Sequence, residues 1–221
     1  DGTADGYYEI PVSFRGQAAG DKPVQLSVFV LVAPEGGLAA GYDNTGSSDD
    51  ADRGQGDYDG DGNTYSRQGL EAAGLKGGTR VEVAGTSFVW PAAPQGRPDN
   101  VVAAGQRIDL ADRAEDAGKL LFVGSATHSD QRGSATVTFT DGSTATADLS
   151  FGDWTLPGGG TEPVFGNTTV ARTEHRNQSG GTGPAAYVFA TKPFDVPEGK
   201  HIKSVTLPDN ANLHVFAVGL G

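Results

Sequence analysis

The sequence predicts an all-β protein, a jelly-roll-like β-sandwich with one short helix. Short segments of alternating apolar and polar residues, enriched in β-branched side chains, recur along the chain. Turn-forming residues separate these segments, and 34 of the 221 residues are Gly and 12 are Pro. Only one segment has a helical pattern. Many short strands divided by Gly, Pro and Asp turns are typical of a β-sandwich.

Ten segments have the strand pattern, at roughly even spacing. In chain order the predicted strands are 7–14, 24–33, 79–85, 86–91, 119–126, 134–140, 143–151, 185–191, 201–208 and 213–220. The dipeptide Asp141-Gly142 lies between two of them, and such a pair is typical of a type I′ turn, in which both central residues have positive φ. The sequence therefore predicts a β-hairpin there.

The predicted helix is the segment RQGLEAA, residues 67–73. Ser66 precedes it and can accept a hydrogen bond from a backbone N–H of the first turn. Gly74 follows it and can take the left-handed conformation that ends a helix.

Composition excludes several classes of function. The formal net charge is −12, from 28 acidic and 16 basic residues, so the surface repels nucleic acid and anionic membrane. The absence of Cys excludes thiol catalysis and thiolate metal sites. The longest apolar run, VFVLVA at 28–33, is far shorter than the roughly 20 residues of a membrane span. The first residues lack an initiator Met and a signal-peptide layout, so we expect a mature chain or a piece of a longer one.

A domain boundary is predicted near the Pro/Gly turn APEGGL, residues 33–38. The two strands before it, within residues 1–34, are too few to fold alone. They belong either to the sandwich or to the tail of a preceding Ig-like domain. Residues 35–221 are predicted to form the principal β-sandwich unit.

The acidic loop GDYDGDGNTYS, residues 56–66, is the candidate metal site. Asp57, Asp59 and Asp61 occupy alternate positions, as the carboxylates of a calcium loop do, and Gly62 supplies the sharp turn. The position of the bidentate Glu of an EF-hand holds Gln68 instead, so Asn63 or the acids Asp49, Asp50 and Asp52 would complete the site. The alternative is a solvated acidic turn.

A metal here is expected to be structural calcium. Ca²⁺ is a weak Lewis acid, and no histidine lies beside the loop in the sequence to act as a general base. The ion would neutralise the mutual repulsion of the aspartates and fix a long Gly-rich connection.

Candidate sugar-binding residues lie at two predicted strand ends. Trp154, next to Asp153, could offer a ring face for stacking, although a buried position in the core is the favoured interpretation. Arg176 and Asn177, in ARTEHRNQSGG, are good hydroxyl partners, and His128 could join them. Their alternative is an ordinary polar turn. Trp90, His201 and His214 are predicted to be structural.

Two stretches resemble known families. YYEIPVSF followed by LSVFVLVAPEGGLAAGYDNTGSSDD resembles the end of the Ig-like domain associated with bacterial alpha-galactosidases. DYDGDGNTYSRQGLEAAGL, FVWP, PDNVVAAGQRIDL, GSATVTFTDGS, FGDW and HVFAVGL are similar to β-rich accessory domains at the C-terminal side of actinobacterial secreted glycoside hydrolases. The resemblance implies a secreted or cell-surface module that accompanies a glycosidase, with a glycan or the parent enzyme's catalytic domain as its partner.

Three functional hypotheses follow. The first is a non-catalytic accessory or carbohydrate-binding module. It is favoured because the sequence has no G-x-S-x-G, H-E-x-x-H, P-loop or Rossmann motif. The second is a small β-fold glycoside hydrolase or lyase, since paired carboxylates are a spatial and not a sequence pattern. The third is a cell-surface protein-interaction module without a sugar site.

Overall fold

The computed structural model describes residues 6–15, 22–33, 35, 37–110, 114, 116–156 and 162–221. It contains one α-helix, α1 (Arg67–Ala72), and a short 3-10 helix (Leu38–Gly41). The strands are β1 (Gly6–Phe14), β2 (Val24–Val32), β3 (Ser47–Ser48), β4 (Thr64–Ser66), β5 (Arg80–Val83), β6 (Thr86–Val89), β7 (Val101–Ala104), β8 (Arg107–Asp109), β9 (Lys119–Ala126), β10 (Ser134–Phe139), β11 (Thr144–Asp148), β12 (Thr168–Arg172), β13 (Arg176–Gln178), β14 (Gly181–Thr182), β15 (Tyr187–Ala190), β16 (Phe194–Asp195), β17 (Ile202–Thr206) and β18 (Asp209–Leu220).

The strands form a β-sandwich around one large central sheet. That sheet has the strand order β12-β15-β9-β18-β6-β5, with β16 also paired to β9 and β7 to β18. A second sheet has the order β11-β10-β17-β8, and a small third sheet has the order β14-β13-β4-β3. The all-β class predicted from the sequence is confirmed.

The central sheet is buried on both faces. Along β9, Leu120 and Phe122 belong to one apolar cluster with Val137, Phe139 and Val205 of the second sheet. The alternate residues of β9, Leu121 and Val123, belong to another cluster, whose members include Tyr58, Tyr65, Trp90, Trp154 and Phe216. Since neighbouring residues of a strand point to opposite faces, the fold has a third layer, made of α1, the small sheet and the acidic loop.

Gly124 shows how closely the two central strands approach each other. It lies in β9 opposite Val215 of β18. A Cβ atom at this position would lie 1.9 Å from the backbone oxygen of His214. Only glycine fits there without a shift of the backbone.

The predicted helix and hairpin are present, with one correction. Ser66 caps α1 by accepting a hydrogen bond from the N–H of Gly69 at 2.9 Å, and Gly74 has a φ of +94°. The hairpin joins β10 to β11, but only Gly142 has positive φ, so the turn is not type I′. The N–H of Gly142 donates to Phe139 O at 3.0 Å, and that of Phe139 to Ser143 O at 2.9 Å. This is the three-residue loop in which a left-handed glycine follows a turn.

Sequence reasoning missed the short strands β3, β4, β7, β8, β12, β13, β14 and β16. They are two to five residues long, and segments such as TYS and RID are too short to display an alternation. Their pairing with neighbouring strands defines them. None of the described helices is long and apolar enough to cross a membrane.

β1 and β2 form a separate two-stranded antiparallel sheet, the hairpin. Within the described residues neither strand pairs with a strand of the sandwich. The hairpin contacts the sandwich at its base, where the Tyr7 hydroxyl donates to Pro98 O at 3.0 Å. The boundary predicted between residues 34 and 35 includes residue 34, which lies outside the described residues. The assignment of residues 1–34 to an Ig-like domain stays a prediction.

Candidate functional site

The acidic loop folds around its own carboxylates. The backbone N–H groups of Gly60 and Gly62 both donate to Asp57 Oδ1, at 2.7 and 2.9 Å. Both glycines have positive φ, which turns their N–H groups toward this one oxygen. The carboxylate of Asp57 therefore stabilises the loop backbone through two hydrogen bonds.

Asp59 and Asn63 form a second, buried pair in the same loop. Asp59 Oδ1 accepts from the N–H groups of Asp61 and Asn63, at 3.0 and 3.2 Å. Asn63 Nδ2 donates to Asp59 Oδ2 at 2.8 Å. Among the described residues, no three His, Cys, Asp or Glu side chains converge as a metal site would require. Calcium at Asp57, Asp59, Asp61 and Asn63 stays a prediction.

Tyr58 anchors the loop in the core. Its hydroxyl lies 2.5 Å from Ser125 Oγ, and the Tyr65 hydroxyl lies 2.7 Å from the same oxygen. The Tyr65 hydroxyl also contacts Tyr187 O at 2.7 Å. Burial raises the pKa of both tyrosines well above the usual value, since a phenolate would lose its hydration. Both therefore stay neutral and act as hydrogen-bonding groups.

Aromatic rings surround Tyr58 on several sides. The ring centroid of Tyr58 lies 4.4 Å from that of His214, 4.9 Å from that of Trp154 and 5.9 Å from that of Phe216. The ring centroid of Trp90 lies 4.8 Å from that of Phe216, and Trp90 is 5% exposed, so its predicted core position is confirmed.

His214 connects this core to the acidic loop. It is 3% exposed, and its Nδ1 lies 3.0 Å from Asn100 Oδ1. Burial lowers the pKa of His214 to about 4, a shift that Asp59 opposes and His128 reinforces. His214 is thus a neutral imidazole at pH 7. Its structural role was expected, but its electrostatic coupling to Asp59 was not.

The loop after β9 lies beside the acidic loop. His128 and Ser129 both have positive φ, 57° and 101°, and the N–H of Ser129 donates to Asp153 Oδ2 at 2.8 Å. His128 Nε2 lies 3.9 Å from Asp61 Oδ2, with both side chains largely exposed. The sequence has no histidine beside the loop, but the fold brings His128 to it. His128, one of the predicted sugar-binding residues, is therefore a neighbour of the predicted metal loop.

Trp154 lies beneath Arg176. Trp154 is 2% exposed, and Cζ of Arg176 lies 5.1 Å from the centroid of its ring. Stacking of a sugar on this ring would require Arg176 to move away. Trp154 is therefore buried in the core, as the favoured interpretation of the sequence expected.

Asp153 and Asn177 are also buried and hydrogen-bonded. Asp153 Oδ1 accepts from the N–H and the hydroxyl of Thr155, at 2.8 and 2.6 Å. Asn177 Nδ2 donates to Ser48 O at 3.0 Å, and its Oδ1 accepts from Arg53 Nε at 3.2 Å. Of the five predicted sugar-binding residues, only His128 and Arg176 retain surface exposure.

Arg176 has an incomplete set of partners. It is half-buried, and its Nε is shielded from solvent without a hydrogen-bond partner. Within the described part of the chain no carboxylate pairs with it. Arg172, in contrast, pairs with Glu174 at 2.9 Å. Arg176 is therefore a cation held on an aromatic ring next to solvent.

Sequence reasoning missed a second polar network. The buried Asp99 accepts from Gly46 N–H at 2.8 Å and from the Ser47 hydroxyl at 2.5 Å. Burial raises the pKa of Asp99, although these hydrogen bonds oppose the rise. Asp99 lines a cavity of about 180 Å³ together with Arg67, whose Nη1 donates to Ala93 O at 2.6 Å. No local motif signals this network, because Asp99 is 53 residues from Gly46 and 52 from Ser47.

The fold and these buried networks define a β-sandwich domain whose polar side chains mainly organise its own loops. The chain belongs to the AziU2-like beta-sandwich domain family, whose model matches residues 37–221. No curated protein matches the sequence. The family assignment confirms the sandwich part of the resemblance. The glycoside hydrolase part stays a prediction.

Proposed function

We propose that the chain is a non-catalytic accessory module of a secreted or cell-surface carbohydrate-active enzyme. The supporting observation is that the buried groups suited to chemistry are engaged internally. Asp59 and Asp153 each accept several hydrogen bonds, and Tyr58 and Tyr65 share one serine hydroxyl. Such groups hold loops in place.

A glycosidase would use these acids differently. It needs two carboxyl groups roughly 5 to 10 Å apart across the sugar, one of them free to give up a proton. Asp153 would first have to release Ser129 and Thr155. The internal bonds of the buried acids therefore favour the accessory module over the small hydrolase or lyase.

Glycan contact is proposed at Arg176 and His128, the two predicted sugar-binding residues that retain surface exposure. A guanidinium donates to sugar hydroxyls, and it pairs strongly with carboxylate or sulfate groups. Because Arg176 has no carboxylate partner within the described residues and lies on Trp154, an acidic glycan suits it better than a neutral one. Trp154 would support the arginine and not the sugar.

The test compares two neighbouring arginines. The wild-type chain, Arg176→Ala and Arg172→Ala are applied to neutral and acidic glycans on an array and incubated with a panel of glycosides. We expect no turnover, and we expect binding that Arg176→Ala abolishes and Arg172→Ala retains. Turnover that disappears on substitution of an acid would establish the hydrolase instead. Silence on the array with tight docking to a partner domain would favour the protein-interaction module.

Structural calcium in the acidic loop is a separate part of the proposal. Asp61 is exposed, and the two backbone hydrogen bonds to Asp57 both use its Oδ1. The Asp61 carboxylate and Oδ2 of Asp57 could therefore contact a cation. Thermal unfolding of the wild type in calcium and in EDTA, repeated with Asp61→Ala, tests it. A native-state ligand raises the midpoint by mass action. We expect a calcium-dependent rise that is lost in the variant, and equal midpoints in the wild type would remove calcium from the proposal.

A further inference from the structure

One face of the hairpin consists entirely of apolar side chains. Residues directly opposite in an antiparallel pair point to the same face. The register pairs Tyr8 with Val30, Ile10 with Val28, Val12 with Leu26 and Phe14 with Val24. We call these eight residues the apolar face. The other face is mixed. It combines the polar residues Glu9, Ser13, Gln25 and Ser27 with Pro11, Phe29 and Leu31, and it includes Tyr7, which contacts the sandwich.

The apolar face is open to solvent. Seven of its residues are exposed, from 36% for Tyr8 to 57% for Val24, and Val12 is half-buried. Eight of the nine exposed large hydrophobic residues described lie in the hairpin, the other being Val89. These exposures amount to apolar area on the order of 600 Å², which is as large as the largest patch of a typical monomer. A two-stranded hairpin is also only marginally stable by itself in water.

We propose that the apolar face binds the same face of a second copy of this chain. The pattern is self-complementary. In an antiparallel two-fold arrangement, the Phe14 end of one face meets the Tyr8 end of the other. The aliphatic residues Ile10, Val12, Leu26 and Val28 then meet in the centre. Aromatic residues contact at both ends, where ring pairs add to the burial of area.

The area suits such a dimer. Two apolar faces together would bury on the order of 1,200 Å², the lower end of specific protein interfaces. Weak and transient complexes lie at this low end of interface size, so we expect a dissociation constant on the order of micromolar.

Charge also favours the antiparallel arrangement. Glu9 is the single charged residue of β1 and β2, and it points to the opposite face. Five of the 28 acidic residues precede residue 37, which leaves 23 in the sandwich. Nine-residue strands are about 30 Å long, so the two sandwiches would lie at opposite ends of the paired hairpins. That distance exceeds the Debye length of about 8 Å, and salt would screen their repulsion.

The experiment measures the mass of the intact chain by light scattering and sedimentation equilibrium over a range of concentrations. The expected mass is twice the 22.7 kDa of one chain. Val12→Asp places a charge inside the interface and should raise the dissociation constant at least about tenfold. Ser13→Asp, one residue along on the other face, is the matched control and should remain dimeric.

A second measurement applies if Val12→Asp disturbs the hairpin itself. The chain has no Cys, so a single introduced cysteine is unique. Facing sheets lie about 10 Å apart, within reach of a short bismaleimide. Val12→Cys should cross-link two chains efficiently and Ser13→Cys should not. The proposal would be overturned if the chain stays monomeric at about 100 μM, well above the expected dissociation constant. Equal cross-linking at both positions would also overturn it, and so would capture of a different domain by a monomeric chain.

Discussion

The hairpin and the sandwich are built from the same alternation of apolar and polar residues, but the apolar faces of the sandwich strands are buried and that of the hairpin is exposed. Both faces of β9 are covered by other layers of the sandwich. The apolar face of β1 and β2 is uncovered. Alternation therefore identifies the face of a strand that must be buried, while the rest of the chain, or a partner, determines whether it is buried. The family match, which begins at residue 37, separates the same two regions.

The largest expected difference between the two regions is in the free energy of unfolding that is lost when a phenylalanine is replaced. Phe216 is fully buried, whereas Phe29 of β2 is 42% exposed and lies on the face opposite the apolar face. Phe216→Ala should lower the free energy of unfolding by about 3 to 5 kcal/mol because it leaves a cavity among packed rings. Phe29→Ala should lower it by less than about 1 kcal/mol. Urea unfolding of both variants measures this, and similar losses would contradict the distinction between the regions.

A pH effect is expected from His214 in the sandwich. The pKa of His214 is lowered from 6.5 to about 4 because the buried imidazole cannot be hydrated when charged. Between these values the unfolded chain binds the proton and the folded chain does not, so stability increases with pH in this window. The contribution is complete above pH 6.5 and is lost as the pH falls to 4, by about 3 kcal/mol in total.

The control for this prediction is the difference between His214→Gln and the wild type at each pH. Asp99, with its raised pKa, acts in the opposite direction at acid pH, but it is present in both proteins and cancels in the comparison. His201→Gln, at an exposed position of the same sandwich, serves as the matched substitution of a histidine. If the two proteins lose stability in parallel between pH 6.5 and 4, His214 is not the group responsible.

Most of the regular elements could be predicted from the sequence because their signals are local. The Ser66 cap and Gly74 delimit α1, and alternation identified every long strand. The third layer could not be predicted, since Tyr58 and Tyr65 lie in polar segments and reach the core through their partner Ser125, 60 or more residues away. The turn at Gly142 differs from the predicted type because Asp141 does not have positive φ.

The candidate site was predictable as a set of residue types but not as an arrangement. Aspartates at alternate positions fit a calcium loop and also fit a loop that binds its own N–H groups. The sequence does not distinguish these, because the orientation of Gly60 and Gly62 decides which donors reach Asp57. Likewise, nothing near Arg176 in the sequence indicates that it covers Trp154.

The smallest expected effect concerns the contact between the two regions. The Tyr7 hydroxyl donates to Pro98 O, and Tyr7 lines a small cavity of about 70 Å³ with Leu38, Trp90 and Phe216. Tyr7→Phe removes one partly buried hydrogen bond, with a net value of about 1 kcal/mol. We expect amide hydrogen exchange in β1 and β2 to become several-fold faster, while the unfolding midpoint of the sandwich stays the same.

Two controls make this last measurement specific. Both proteins are compared in the Val12→Asp background, so that self-association does not protect the hairpin. Ser13→Ala removes an acceptor for Gln25 within the hairpin, at 3.3 Å, without touching the sandwich. If Tyr7→Phe lowers the midpoint of the whole chain, the hairpin and the sandwich unfold as one cooperative unit, and the open apolar face belongs to the same domain as the core. If only the exchange of β1 and β2 changes, the hairpin opens independently, as its exposure and its position outside the family match both indicate.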